Sequence, residues 1–157
     1  MKKFLLAAAV LAALFASVSC GGSGTGSDIN VEGELSDLFT KIYENAEAES
    51  PAVMYIKVDE TNKKSMLGTE EVNFTEALAS EAAIMTIPHS IVLIRVDGNT
   101  DIEKTKKLIR ENADPRKWIC VGVEDDEVIV DSLGNLIILI MSENADAYHK
   151  AFLKLAE

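Results

Sequence analysis

Residues 128–142 read VIVDSLGNLIILIMS, and this stretch decides the fold. Val128 to Asp131 and Leu136 to Met141 flank Ser132-Leu133-Gly134-Asn135, and turn residues between two β-branched apolar runs mark a hairpin. Leu136 to Met141 has no polar residue on either alternating side, and Ile91 to Val96 has only Arg95. A sheet open to water on one face alternates, so both strands are expected to be central and covered on both faces. The second cover is either a helix near Glu34 or a partner molecule. The apolar stripe of that helix favours the intramolecular cover.

Upstream, Leu35, Leu38, Phe39, Ile42 and Ala46 recur at three- and four-residue spacing, predicting an amphipathic helix from Glu34 to Ala48 that ends at Ser50-Pro51. Val53 to Val58 reads as a strand and Asp59 to Lys64 as a turn or loop. Gly68 to Ala83 mixes Ala and Glu with Val72, Phe74 and Leu78, and reads as a brief helix passing into a strand. After Ile91 to Val96 comes the turn Asp97-Gly98-Asn99. Thr100 with Glu103 predicts a capping box for a helix running to Ala113, which Asp114-Pro115 stops. Trp118 to Val123 reads as a further strand. Ser142 is expected to cap a last helix, with Glu143 and Asp146 near its start and Lys150 and Lys154 near its end. The sum is an α+β two-layer domain with a mainly antiparallel sheet and three or four helices. The unit from Ile91 to Val123 is expected to cross right-handed.

The N-terminus carries an address. Lys2 and Lys3 precede the apolar run Phe4 to Val18, which ends at Ser19-Cys20-Gly21-Gly22. A basic start, an apolar segment shorter than the roughly 20 residues of a membrane span, and small residues at the end make an export signal. Cys20 directly after the run resembles the lipobox of bacterial lipoproteins, in which the cysteine is lipidated and becomes the mature N-terminus. Ser17 stands where that pattern has Leu, so ordinary cleavage after Ser19 stays open. Gly21 to Ser27 reads as a Gly/Ser tether; without a preceding strand it does not meet the context of a phosphate loop. The expected division is a signal over residues 1–19, a lipidated cysteine and tether over 20–33, and one α+β domain over 34–157. That places the domain outside the cytoplasm, anchored to the cell membrane, or secreted if Cys20 is free.

Removing residues 1–19 takes Lys2 and Lys3 with it and leaves 13 basic residues against 26 acidic ones. So acidic a chain is repelled by nucleic acid and anionic headgroups, and no nucleic-acid partner is expected. The two cysteines are Cys20 and Cys120. With Cys20 lipidated, Cys120 is expected to be a buried, inert thiol on the Trp118 strand. With Cys20 free, a disulfide between them becomes possible in an oxidising compartment.

Ser80 to Val96 (SEAAIMTIPHSIVLIRV), Asp101 to Arg110, Asp114-Pro115-Arg116-Lys117-Trp118 and the Gly134-Asn135 hairpin running into Leu136 to Ser142 resemble a family of small lipoproteins from Gram-positive anaerobes, classed as a domain of unknown function. The resemblance spans Glu34 to Leu155 and rests on the order of apolar strands, Gly-Asn and the terminal helix. It implies an envelope location and a lipobox. It brings no activity and no catalytic residues.

Candidate chemistry is sparse. His89 follows Pro88 in an expected turn, with no carboxylate or second His three or four residues away, so zinc spacing is missing. His149 has Asp146 at minus three, the pattern of a solvated helix face. Glu124-Asp125-Asp126-Glu127 could offer oxygens to Ca²⁺ but lacks the spacing and central Gly of a calcium loop. No nucleophile elbow, Ser-x-x-Lys pair or Cys/His arrangement is readable, and no catalytic residue, metal or cofactor is assigned. Arg116-Lys117-Trp118 is the one basic-aromatic cluster. It reads as a contact patch, or as a strand start with Trp118 in the core and the two cations masking an edge.

Three functions follow as expectations. The first is a membrane-tethered, non-catalytic module binding an envelope protein or a ligand, with Arg116, Lys117, Trp118 and His89 as its candidate contacts. The second is an extracytoplasmic enzyme with an unrecognised site near His89 or the Glu124–Glu127 loop. The third is a homodimer in which a twin closes the second sheet face.

Overall fold

The computed structural model describes residues 29–157; the signal, Cys20 and most of the tether lie outside the described residues. The elements are α1 (Leu35–Asn45), β1 (Val53–Lys57), α2 (Lys63–Leu67), β2 (Glu76–Ala82), β3 (His89–Arg95), α3 (Ile102–Asn112), β4 (Val128–Leu133), β5 (Leu136–Ser142) and α4 (Ala145–Leu153). Short 3₁₀ turns occupy Asp125–Glu127 and Lys154–Ala156. The five strands form one sheet in the order β1-β2-β3-β5-β4 with every neighbouring pair antiparallel. The class is α+β, with four helices and an antiparallel sheet.

The doubly apolar strands take the centre. Every residue of β5 is buried, as are six of the seven in β3. Alternate residues feed two separate cores. Val92, Ile94, Ile137, Leu139 and Met141 pack with Leu67 of α2, Ile109 of α3, Trp118 and Val123. Ile91, Leu93, Leu136, Ile138 and Ile140 pack with Leu35, Leu38, Phe39 and Ile42 of α1 and with Tyr148, Ala151 and Phe152 of α4. The intramolecular cover is therefore the one found, but helices lie on both faces, so there are three layers where the sequence suggests two. Each fully buried Leu or Ile of these rows contributes roughly 1.5–3 kcal/mol, which is why a solvated face was not tenable here.

Several local expectations are corrected. Trp118 to Val123 is not a strand. The chain turns at Cys120 (φ +65°), and the Val123 N–H donates to the Pro115 carbonyl at 2.9 Å, so 115–123 closes on itself as a loop. A Cβ on Gly122 would lie 2.7 Å from that same carbonyl, so the loop needs glycine there. The expected crossover therefore ends elsewhere: α3 and this loop connect β3 to β4, which lie parallel on either side of β5. Cys120 is exposed, not buried.

Asp101, not Thr100, caps α3, its Oδ1 accepting from the Lys104 N–H at 3.0 Å, while Thr100 Oγ1 turns back to Asp97. Ser142 ends β5 and α4 starts after Asn144. The short helix α2 starts at the end of the expected loop Asp59 to Lys64 and is over before Gly68, where a brief helix is expected to open, and 68–75 is irregular before β2. The folded part also begins before Glu34. Val31 is buried, its N–H donates to Asn135 Oδ1 at 2.9 Å, and the Arg95 guanidinium donates to the Val31 and Gly33 carbonyls.

Candidate functional site

His89 is not in a turn; it is the first residue of β3 and is 1% exposed. Its register partner is Ser142, whose Oγ lies 3.0 Å from His89 Nδ1, and Nε2 lies 2.9 Å from the Tyr43 hydroxyl of α1. Tyr43 also meets Ser80 Oγ at 2.7 Å. The chain of groups Ser80–Tyr43–His89–Ser142 is thus closed at one end of the sheet, with Tyr148 edge-on to both rings. Burial lowers the His89 pKa to about 4 and raises that of the Tyr43 phenol well above its ordinary value. A neutral imidazole offers one donor and one acceptor, and two hydroxyls can each play either part, so every member is satisfied. A hydroxyl 3.0 Å from an imidazole is the distance of a nucleophile and its base. With Ser142 and His89 both buried, no substrate carbonyl reaches the pair.

The basic-aromatic cluster divides. Trp118 enters the core beneath α3, and Arg116 is exposed. Lys117 turns inward: its Nζ lies 2.8 Å from Glu81 Oε1 and 2.9 Å from Ser90 Oγ, above the Trp118 ring. Ser90 itself donates to Glu81 at 2.5 Å. Side-chain exposures of 15% and 12% make the Lys117–Glu81 pair largely desolvated, so its worth depends on both partners being present.

In the acidic turn, Glu124 and Glu127 form a reciprocal capping box, and Asp125 Oδ1 accepts from Arg110 at 2.7 Å. Two of the four carboxylates therefore hold the turn itself and a third ties it to α3. Among the described residues no group of three or more His, Cys, Asp or Glu side chains is placed to hold a metal ion. His149 pairs with Asp131 of β4 at 2.8 Å, not with Asp146.

A cleft of about 700 Å³ lies where the C-terminal end of α1, the acidic turn and the start of α4 meet. Asn45, Glu47, Asp126, Glu143, Asp146 and Lys150 are among its lining residues, with Leu153 the main apolar one. Its walls offer carboxylates and ammonium groups to whatever enters it. Sequence reasoning missed this cleft because its walls come from three separate segments, each with the bland composition of a solvated face. Tyr43, Ser80, Glu81 and Ser142 were missed for a related reason: strand register sets Ser142 opposite His89 and Glu81 opposite Ser90, and packing of α1 and of the 115–123 loop brings Tyr43 and Lys117 to them.

No protein-family model matches the chain, and the comparisons with curated proteins and with solved structures find no match either.

Proposed function

We propose that this protein is an exported, membrane-tethered, non-catalytic binding module, held through a lipid on Cys20 and acting outside the cytoplasm on an envelope protein. The supporting observation is a contrast. His89, Ser142 and Lys117 are spent on internal bonds, whereas the carboxylates and lysines of the α1–α4 cleft face an open space of about 700 Å³. The surplus of acidic residues suits a partner segment bearing basic side chains. The resemblance to small anaerobe lipoproteins supports the same location. The enzyme reading would require the His89 network to open, since His89 is 1% and Ser142 4% exposed.

Two measurements test this reading. Mass analysis of the mature N-terminus should find Cys20 as the first residue with a diacylglyceryl adduct; an unmodified Cys20 refutes the anchor. A photo-crosslinker at Glu143 should trap one saturable envelope partner in cells, lost when Asp126 and Asp146 are both changed to Lys. The same adduct from a crosslinker at Asp97, in the exposed β3–α3 turn, would mean the cleft is not the surface.

A further inference from the structure

We propose that the outer edge of β1 is a docking edge for a second copy of this chain, joined by antiparallel pairing of β1 with β1 of the twin about Tyr55. Three features of the fold carry this inference, and it does not depend on the cleft or on Cys20.

The first is which edge is open. At the other end of the sheet, β4 carries Asp131, held by Lys106 of α3 from one side of the sheet and His149 of α4 from the other. An ion-paired charge set into an edge strand, with helices closing over it, is a device that blocks pairing. Among the described residues no strand pairs with the outer side of β1, where Asn62 Nδ2 alone donates to the Lys57 carbonyl at 2.9 Å. There Met54 is 49% and Tyr55 46% exposed, and the adjoining β2–β3 loop exposes Ile84, Met85 and Ile87. No charged residue lies between Ala82 and Pro88 in a chain with 26 acidic residues. Five exposed large apolar side chains on β1 and its adjoining loop, on so acidic a chain, have the composition of an interaction site.

The second is hydrogen-bond parity. The Ala83 N–H donates to the Ala52 carbonyl and the Val58 N–H to the Ala77 carbonyl. In an antiparallel ladder the bonded positions alternate, so even-numbered residues 52–58 bond to β2, while Val53, Tyr55 and Lys57 direct their N–H and C=O groups outward. A two-fold axis at Tyr55 sets Tyr55 opposite its twin and Val53 opposite the twin's Lys57. All three outward residues then meet outward residues, the Lys57 carbonyl taking the twin's Val53 N–H on the lone pair that Asn62 Nδ2 leaves free.

The third is side-chain complementarity in that register. Met54 faces the twin's Ile56 on one side of the sheet, Tyr55 faces Tyr55 on the other, and each Lys57 faces a valine. No like charges meet, which is the arrangement cross-strand pairing requires. A lipid surface fits less well, because the unpaired backbone groups of β1 would have no partner in hydrocarbon. One strand pair with its flanking loop falls in the class of small interfaces, under about 1,200 Å² in total, so a dissociation constant in the micromolar range, about 1–100 µM, is expected.

The test uses the full chain in two parts. Tyr55→Cys in a Cys120→Ser background places two thiols on a bonded pair with Cα atoms about 5.5 Å apart, within disulfide reach. Mild oxidation should give at least about tenfold more covalent dimer than the Cys120→Ser parent, which carries the background from Cys20, or than Asp97→Cys in that background. Equal yields in all three overturn the proposal. Sedimentation equilibrium of the unaltered chain should show reversible dimerisation, weakened at least about tenfold by Tyr55→Lys, which sets Lys against Lys. A monomer at every concentration up to about 500 µM overturns it. So does a chain that stays monomeric yet binds phosphatidylcholine vesicles through Ile84 and Met85, which would assign the patch to lipid.

Discussion

Asp131 Oδ2 pairs with His149 Nε2 at 2.8 Å while its Oδ1 lies 3.2 Å from Lys106 Nζ, so one carboxylate on edge strand β4 ties together helices that pack on opposite faces of the sheet. Partial burial opposes its charge, but bonds from His149, the Ser132 N–H and Lys106 prevail and hold its pKa below the ordinary value. Asp131→Asn keeps the shape and removes the charge. The expected loss is about 1–2 kcal/mol, since the groups are partly exposed and solvent screens them. Urea denaturation measures it. With a lowered folded pKa the contribution is complete above pH 3.8 and fades as pH falls through the folded value, so the variant and parent should converge only at strongly acid pH.

His89 titrates in a different window. Its pKa falls from 6.5 in the unfolded chain to about 4 in the fold because burial disfavours the imidazolium. Between those values the unfolded chain binds more protons than the folded one, so stability is fully present above pH 6.5 and is lost as pH falls toward 4. The slope approaches about 1.4 kcal/mol per pH unit and the whole loss is about 3 kcal/mol. His89→Gln should be less stable at pH 7, having lost a ring that bonds both Tyr43 and Ser142, yet should show a flatter profile between pH 6.5 and 4. Parallel profiles for the two proteins would show that His89 is not the titrating group.

The two central strands were legible because their physics is local: runs of six apolar residues in Leu136 to Met141 and four in Ile91 to Ile94 state both that they form strands and that both faces are filled. The Gly-Asn hairpin, α1 and α3 were legible for the same reason. Trp118 to Val123 misled because Trp, Ile, Cys and Val have strand propensity, whereas the deciding facts, the Pro115 carbonyl meeting the Val123 N–H and the backbone crowding at Gly122, are tertiary. His89 misled in the other direction. Pro88 signals a turn, but the strand begins immediately after it, and the polar partners that make burial tolerable sit 46 residues upstream at Tyr43 and 53 downstream at Ser142. No spacing rule reaches that far.

Gly68 closes α2 in the left-handed region, φ +78°, and a Cβ there would stand 1.8 Å from the Asn112 carbonyl oxygen at the end of α3. Both effects act against any side chain. The backbone conformation alone costs a non-glycine residue about 1 kcal/mol, and relieving the contact must move the α2–α3 packing. Gly68→Ala is therefore expected to lose about 2–4 kcal/mol, a large effect for so small a change. Gly98, whose added Cβ would meet nothing within 4 Å, supplies the control: Gly98→Ala should stay within about 0.5 kcal/mol of the parent in the same denaturation series.

Lys117 is the cation whose removal should be most costly, because it leaves the Glu81 carboxylate and Ser90 enclosed without a counter-charge. Breaking one half of a desolvated pair costs about 3 kcal/mol, while replacing both halves with apolar residues of similar volume can be near neutral. Lys117→Met should therefore be less stable than the double change Lys117→Met with Glu81→Leu. If the single change is the milder of the two, the pair is better solvated than its geometry indicates.

The exposed Cys120 gives a count that bears on the anchor. It stands at the tip of the 115–123 loop with φ +65°, open to solvent, so a maleimide should modify it in the native protein without denaturant, as thiol reactivity follows access. Cys20 enters the same count only if its sulfur is free. A chain lipidated at Cys20 carries that sulfur as a thioether and should take up one maleimide, and Cys120→Ser should take up none. A chain cleaved after Ser19 without lipidation should take up two when reduced, and after air oxidation none if Cys20 and Cys120 have joined. Intact mass before and after labelling separates these outcomes, and a Cys120 that labels only in urea would show that the loop is closed in solution.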